Sequence, residues 1–301
     1  MFPKKIFLTY KRSPPKGVLE RWKKLNPDYE IELSLDDACI NFLKRYFHED
    51  IVKLFINIPQ GMFKADLWRL CKLYIYGGVY ADIDLVPYTS ISELIKENHK
   101  FYSCLAADKR SIFQAFIITF PKNPLILSFI ISFIHNKPYN NIANGPCLDM
   151  YNCLQGNVKN HIVSNKSIKI ESINLPIVIG PSKHNVKRIK LDFLKYKFVK
   201  DLKLDFNKIK LKKNQYKDTF DLNINENILE VRRTDEKSGW GHCHIAYIGT
   251  NINKIDQTIF LFNEEYGSCI TKAYVKYRKT KIFDSRDSKY YYSKIYNKTW
   301  K

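Results

Sequence analysis

The chain has 301 residues, of which 45% are hydrophobic and 14% aromatic; this excludes a disordered polypeptide and leaves enough length to bury a full core. Its formal net charge of +20 calls for anionic partners without choosing among them. No apolar run is long enough to span a bilayer, and the N-terminus MFPKKIFLTYKR has too short an apolar stretch for a signal peptide, so a soluble, cytoplasmic protein is expected.

In chain order, residues 3–10 read as a first strand, 15–26 as a helix or loop entering Asn26-Pro27, and 29–34 as a second strand. Residues 36–47 and 48–57 read as helical, with Asp36 or Asp37 as a cap, and Pro59-Gln60-Gly61 interrupts the chain. Then comes the segment that carries most of the chemistry, KADLWRLCKLYIYGGVYADIDLV from Lys64 to Val86. Leu67, Leu70, Cys71, Tyr74 and Ile75 recur at helical spacing, so one helix face is buried. Asp66 and Arg69 lie one turn apart on that helix and can hold a ligand or each other. Gly77-Gly78 ends it in a conformation that needs positive φ. Val79, Tyr80 and Ala81 read as a short strand continuing through Asp82, Ile83, Asp84 and Leu85, with both aspartates on one face and Pro87 ending the ladder.

Two carboxylates at the end of an apolar strand concentrate negative charge where a sheet meets solvent. A hard divalent ion, Mn²⁺ or Mg²⁺, suits such a pair, with phosphate oxygens and water completing its shell. An isolated Asp-x-Asp is common and often only solvated. Here the Asp-x-x-Arg helix, the Gly-Gly turn and the Tyr-x-Asp-x-Asp ending occur together in order, which favours a metal and diphosphate site.

Further along, 100–107 and 113–120 read as strands and 124–135 as an apolar helix; Asn144-Gly145-Pro146 reads as a tight turn leading into a helix that ends near Leu154. No internal repeat is present. Lysine is dense from Lys183 to Lys217, with apolar residues such as Leu191, Phe193 and Tyr196 interleaved. That pattern supports a rival reading as a nucleic-acid-binding surface, but no zinc-knuckle spacing, RNP-like motif or Gly-rich phosphate loop accompanies it, so no obligate nucleic acid is expected. Peripheral contact with anionic membrane or a polyanionic glycan is the other use of such a surface. In SGWGHCH, strand alternation places His242 and His244 on one face at a spacing that could bind metal, although a third ligand is not evident. The seven cysteines are scattered, with no CxxC, as expected of reduced thiols in the cytosol. The sequons at Asn165 and Asn297 arise easily in a chain this rich in Asn and Lys.

The residues Lys64-Ala65-Asp66, Arg69, Leu73-Tyr74, Tyr76-Gly77-Gly78-Val79-Tyr80, Asp82 and Asp84 resemble the hallmark of glycosyltransferase family 32, the Och1-like enzymes with a DXD sugar-binding region. Weaker echoes lie in Pro3-Lys4-Lys5-Ile6 with Thr9-Tyr10, where Phe7 and Leu8 replace the family's His-Gln, and in Trp22 to Glu30 followed by Asp36-Asp37. Gly145-Pro146 is similar to the family's Thr-Gly-Pro turn, with Asn144 in the Thr place. The resemblance implies an α/β fold of the GT-A type, a mixed Rossmann-like central sheet flanked by helices. Residues 1–301 would form a single catalytic domain, with 1–150 as nucleotide-sugar-binding core and 151–301 as acceptor-side region whose C-terminal loop closes the site.

The activity it implies is a metal-dependent retaining transfer of a hexose-type sugar from a UDP- or GDP-sugar to a glycan or protein hydroxyl. By that resemblance Asp84 ligates the metal most directly, Asp82 sits nearer ribose and sugar, and Asp66 and Arg69 hydrogen-bond the donor's hydroxyls. Thr9 and Tyr10 are candidates for the nucleotide base and Tyr80 for donor contact. Thr299-Trp300 resembles the family's closing Ser-Trp, in which Trp caps the nucleotide. Relatives carry a metal-binding His several residues earlier; here Lys294 and Ile295 stand in those positions, so the third ligand is water or Asn297, or Lys294 itself supplies charge to the diphosphate. That departure also leaves open a non-catalytic relative that binds sugar nucleotides or glycans.

Overall fold

A computed structural model describes residues 2–14, 17–47, 49–95, 99–135, 145–155, 158, 161–170, 175–179, 210–213, 220–224, 227–233, 244–248, 257–267 and 273–284. The elements are, in order, β1 (Lys5–Thr9), α1 (Val18–Leu25), β2 (Glu30–Ser34), α2 (Asp36–Tyr46), α3 (Glu49–Asn57), α4 (Gly61–Tyr76), β3 (Gly78–Ala81) and β4 (Val86–Pro87). After these come α5 (Ile91–Leu94), β5 (Phe101–Leu105), β6 (Ile112–Thr119), α6 (Pro124–His135), α7 (Pro146–Gln155), β7 (Ser167–Ile170) and β8 (Leu175–Ile179). The remainder are strands: β9 (Lys210–Lys213), β10 (Phe220–Ile224), β11 (Asn227–Arg233), β12 (His244–Ile248), β13 (Gln257–Tyr266), β14 (Ala273–Tyr277) and β15 (Thr280–Asp284).

The expected α/β architecture, a mixed Rossmann-like sheet flanked by helices, is what the chain forms. The main sheet runs β2-β1-β3-β6-β5-β13-β14-β15-β4, with β7 also on β13, and β8 to β12 form a second, antiparallel sheet. Strands β2, β1 and β3 are parallel, and β6 reverses against β3. The inner parallel strands β1 and β3 are buried on both faces, as a sheet covered on both sides requires, whereas β2 at the edge alternates Glu30, Ile31, Glu32 and Leu33. Phe7 packs with α2, α3, α4, α6 and α7 on one side, while Ile6 and Leu8 pack with α1 and α5 on the other. The polar residues of α4 are buried along with its apolar ones: Asp66, Arg69 and Lys72 are each less than a tenth exposed.

The sheet order fixes where a ligand belongs. From β1 the chain crosses through α1 to β2 on one side, then returns through α2, α3 and α4 to β3 on the other. The crevice outside the carboxyl ends of β1, β2 and β3 is therefore a topological switch point, the place where open α/β sheets take their ligands. Thr9, Ser34 and Asp82 sit at those ends.

Two glycines hold this geometry. Gly77 (φ +62°) closes α4, and a Cβ there would meet Pro121 Cδ and the Pro121 backbone nitrogen at 2.5 Å. Gly78 (φ +91°) opens β3, and its Cβ would meet the Lys5 carbonyl at 2.8 Å. Both positions need positive φ and the absence of a side chain.

The structure corrects the strand expected through the two aspartates. β3 ends at Ala81, and the chain turns over Ile83-Asp84, closed by Leu85 N–H donating to the Asp82 carbonyl at 3.1 Å. Burial of Ile83 from within the turn gives the apolar–polar alternation that imitated a strand. Pro87 does not end the ladder either. Val86 and Pro87 pair with Asp284 and Phe283 as the sheet's last strand, an edge where a residue without an N–H is tolerated.

Candidate functional site

Arg69 organises the carboxyl end of β3. Its Nη2 lies 3.0 Å from Asp66 Oδ1 and 3.0 Å from Asp82 Oδ1, so one nitrogen bridges two carboxylates. Nη1 donates to the Gln114 carbonyl at 2.6 Å and Nε to the Ala65 carbonyl at 3.2 Å. The guanidinium lies 4.4 Å from the centroid of the Tyr80 ring, a cation–π contact in a desolvated setting. The Tyr80 hydroxyl in turn donates to Asp82 Oδ1 at 2.7 Å. Backbone anchorage completes the fixture, with Asp82 N–H donating to the Ala115 carbonyl at 2.8 Å.

Asp82 is consequently held from one side. Its Oδ1 accepts from Arg69 and Tyr80, while Oδ2 has no partner among the described residues, and the side chain is 31% exposed. Asp84 is half-buried in the turn two residues on.

The electrostatics follow from one cation facing two carboxylates. Burial pushes the Asp66 carboxyl up to about 7, with Asp82's charge adding to the rise and Arg69 opposing it. Burial works against the charge on Arg69, but Asp82, Tyr80 and Asp66 more than offset it and hold the guanidinium ionised. The Tyr80 phenol is raised well above its ordinary value by burial, and its bond to Asp82 also favours the neutral donor form.

Of the residues singled out in the sequence, Asp66, Arg69, Tyr80 and Asp82 are brought together in one bonded group, with Asp84 beside it. Thr9 lies at the adjacent end of β1, but its hydroxyl donates to the Ser34 carbonyl at 2.9 Å and sits 3.3 Å from Cys39 Sγ. Tyr10 follows, its N–H donating to the same carbonyl at 3.2 Å. Asn144, His242, Lys294, Ile295, Asn297, Thr299 and Trp300 lie outside the described residues, as does most of the lysine-dense segment; His244 begins β12.

Two participants escaped the sequence reading. Gln114 supplies the carbonyl that fixes Arg69, is itself 2% exposed, and directs its Nε2 to Cys147 Sγ at 3.3 Å. A glutamine inside the apolar run Ile112–Thr119 was the signal available. Lys72 is the other: buried one turn beyond Arg69, it pairs with Glu32 at 2.8 Å and lies 4.7–5.7 Å from the rings of Phe7, Phe42, Trp68 and Tyr76.

A metal would find oxygen donors of the right kind here. Asp82 and Asp84 are hard ligands, and the unpartnered Oδ2 of Asp82 suits Mn²⁺ or Mg²⁺. Among the described residues no third His, Cys, Asp or Glu joins them, so donor phosphates, water or a residue outside that set must complete a shell. Cys39 and Cys71 take no part: burial raises both thiols, Cys39 to about 12. The described cysteines, Cys39, Cys71, Cys104, Cys147 and Cys153, are free thiols. No helix among the described residues is long and apolar enough to cross a membrane.

Residues 15–101 match the family described as a glycosyltransferase sugar-binding region containing a DXD motif. An initiation-specific alpha-1,6-mannosyltransferase of Candida albicans is 33% identical over 107 residues, covering 32% of this chain and 28% of that protein. The putative glycosyltransferase HOC1 of Saccharomyces cerevisiae is 31% identical over 78 residues, covering 25% and 20%. The match thus spans less than a third of either relative. Among solved structures, the PaToxG glycosyltransferase aligns with a TM-score of 0.40 at 14% identity, over 50% of this chain and 66% of that one. The Asp66–Arg69–Asp82 group and the Asp82-Ile83-Asp84 turn lie inside residues 15–101, the stretch of this chain that is similar to the glycosyltransferase sugar-binding region containing a DXD motif.

Proposed function

We propose that this chain is a metal-dependent glycosyltransferase that moves a hexose-type sugar from a UDP- or GDP-sugar to a hydroxyl of a glycan or protein, with retention of anomeric configuration. The observation that carries the reading is the fixed Asp82, clamped on Oδ1 by Arg69 and Tyr80 with Oδ2 left over, at the carboxyl end of β3 beside the switch point.

The roles follow from the bonds. Arg69 positions both carboxylates and balances their charge, and the Tyr80 hydroxyl orients Asp82. Asp66, poised near neutrality, accepts a hydrogen bond from a donor-sugar hydroxyl when ionised. Asp82 and Asp84 would hold Mn²⁺ or Mg²⁺, which when bound offsets the charge of the leaving diphosphate. The carboxyl end of β1, with Thr9 and Tyr10, would receive the nucleoside; by the family resemblance Thr299 and Trp300 would cap it and Asn297 would be the candidate third ligand to the metal. The free thiols are consistent with a cytoplasmic setting.

Thermal denaturation with a panel of UDP- and GDP-sugars, with and without Mn²⁺, tests this on the wild type and on Asp84→Asn. One nucleotide is expected to raise the melting temperature only with Mn²⁺, and the mutant to lose the effect. Absence of any donor-dependent shift sinks the reading. A shift without release of nucleoside diphosphate in the presence of acceptors leaves a sugar-nucleotide-binding relative instead.

A further inference from the structure

Strand β13 is flanked on one edge by β5 throughout Ile259–Asn263, but its other edge is shared. Gln257–Phe260 pair with β7, and Asn263–Tyr266 pair with β14. Between these partners Leu261 and Phe262 have no strand alongside, and the Leu261 carbonyl is taken by the Asn165 N–H at 2.7 Å. A cavity of about 400 Å³ lies beside this notch, lined by Phe260 of β13, by Asn165, Lys166 and Ser167, and by Tyr277, Arg278 and Lys279 among others. It shares no residue with the group around Asp82.

Its charge is one-sided. Lys166, Arg278 and Lys279 are exposed, and none of them forms an ion pair with a carboxylate among the described residues. Among the described residues no carboxylate lines the cavity. Cations left unpaired around a concavity raise the local concentration of anions.

The backbone points the same way. Arg278 and Lys279 form the two-residue link between β14 and β15, and both have positive φ, 49° and 69°. Such hairpin links strongly favour Asn-Gly, because other side chains are strained there. Two long cationic residues hold the costliest part of the hairpin, and strain retained at a surface cleft is a mark of use.

We propose that this notch binds a phosphate carried on a polyol, as in a sugar phosphate or an inositol phospholipid headgroup. The three cations take the phosphate. The Asn165 amide suits hydroxyl groups, as does the remaining hydrogen-bonding capacity of the Ser167 hydroxyl, which His99 Nε2 holds at 2.8 Å, and the volume is that of a small-molecule site rather than of a bare phosphate.

The test uses the full chain in EDTA, titrated calorimetrically with glucose 6-phosphate and with glucose, and sedimented with phosphatidylcholine vesicles with and without phosphatidylinositol 4-phosphate. Glucose 6-phosphate or the phosphoinositide vesicles are expected to bind, with glucose weaker by about tenfold or more. Binding by the soluble probe alone identifies a free sugar phosphate, and binding by the vesicles alone a headgroup. The double variant Arg278→Asn/Lys279→Gly is expected to lose about tenfold or more in affinity while melting a few degrees higher, because it relaxes the turn. Lys166→Ala, which relieves no strain, is expected to weaken binding too, and Asp84→Asn to leave it unchanged. Binding by neither phosphate probe, equal binding of glucose, or full affinity in both the Arg278/Lys279 and Lys166 variants overturns the proposal.

Discussion

At the scale of single residues, the site is governed by one guanidinium serving two acids. Asp66 is the group that yields, because it is the more deeply buried of the two. Its carboxyl is raised from an ordinary 3.8 to about 7, so the folded state binds a proton there more tightly than the unfolded chain does. The contribution to stability is therefore full below the unfolded value and declines as pH rises through the window up to about 7. In EDTA, urea titrations across this window are expected to show wild type losing stability relative to Asp66→Asn, with the difference levelling off above it. A flat difference would mean that Asp66 is ionised throughout. Removing the cation is harsher. Arg69→Ala leaves the buried Asp66 and the partly exposed Asp82 facing each other without their cation and is expected to cost about 3 kcal/mol by urea denaturation, the low end of the penalty for breaking a buried pair. Arg69→Lys keeps the charge but cannot reach Asp66, Asp82 and the Gln114 carbonyl together, so it is expected to recover only part of that loss.

At the scale of elements, what the sequence revealed depended on how local the cause was. The end of α4 was legible because Gly77-Gly78 admits few other uses, and the fold confirms that neither Cβ fits. Gly77→Ala is expected to be severely destabilising. It adds about 1–2 kcal/mol of backbone strain to a collision with the Pro121 backbone that no rotamer relieves. A melting temperature within a degree or two of wild type would show that the Pro121 turn yields. The Asp82-Ile83-Asp84 segment was misread for an equally local reason. Alternation of polar and apolar residues has the strand period, but a turn that buries only its central Ile83 produces the same pattern. Only the bond from Leu85 N–H to the Asp82 carbonyl separates the two, and that bond leaves no mark in composition. Asp66 and Arg69 were legible as neighbours from helical spacing, whereas Gln114, forty-five positions beyond Arg69, joins them through pairing of β6 with β3.

At the scale of the whole molecule, the parallel half of the sheet was foreseeable because β2 and β3 each follow a helix within a short span of β1. Its completion was not. β13 inserts beside β5 more than a hundred and fifty residues downstream, and β14, β15 and β4 extend the sheet from there. Glu264, fully buried on β13, accepts the Ala107 N–H at 3.0 Å, so the loop after β5 is tied to the distant strand as well. A binding core drawn at residues 1–150 therefore includes the Asp66–Arg69–Asp82 group but lacks the strand that covers one edge of β5. Phe101, Tyr102 and Cys104, buried in the full chain, would stand beside an open edge, the arrangement that invites strand addition between molecules. A fragment ending at residue 150 is expected to aggregate on expression, while one retaining residues 1–284 is expected to remain monodisperse by size-exclusion chromatography. If the short fragment instead folds and melts cooperatively, β13 to β15 are an appendage rather than part of the core, and the candidate site owes its rigidity to β1, β3, β6 and α4 alone.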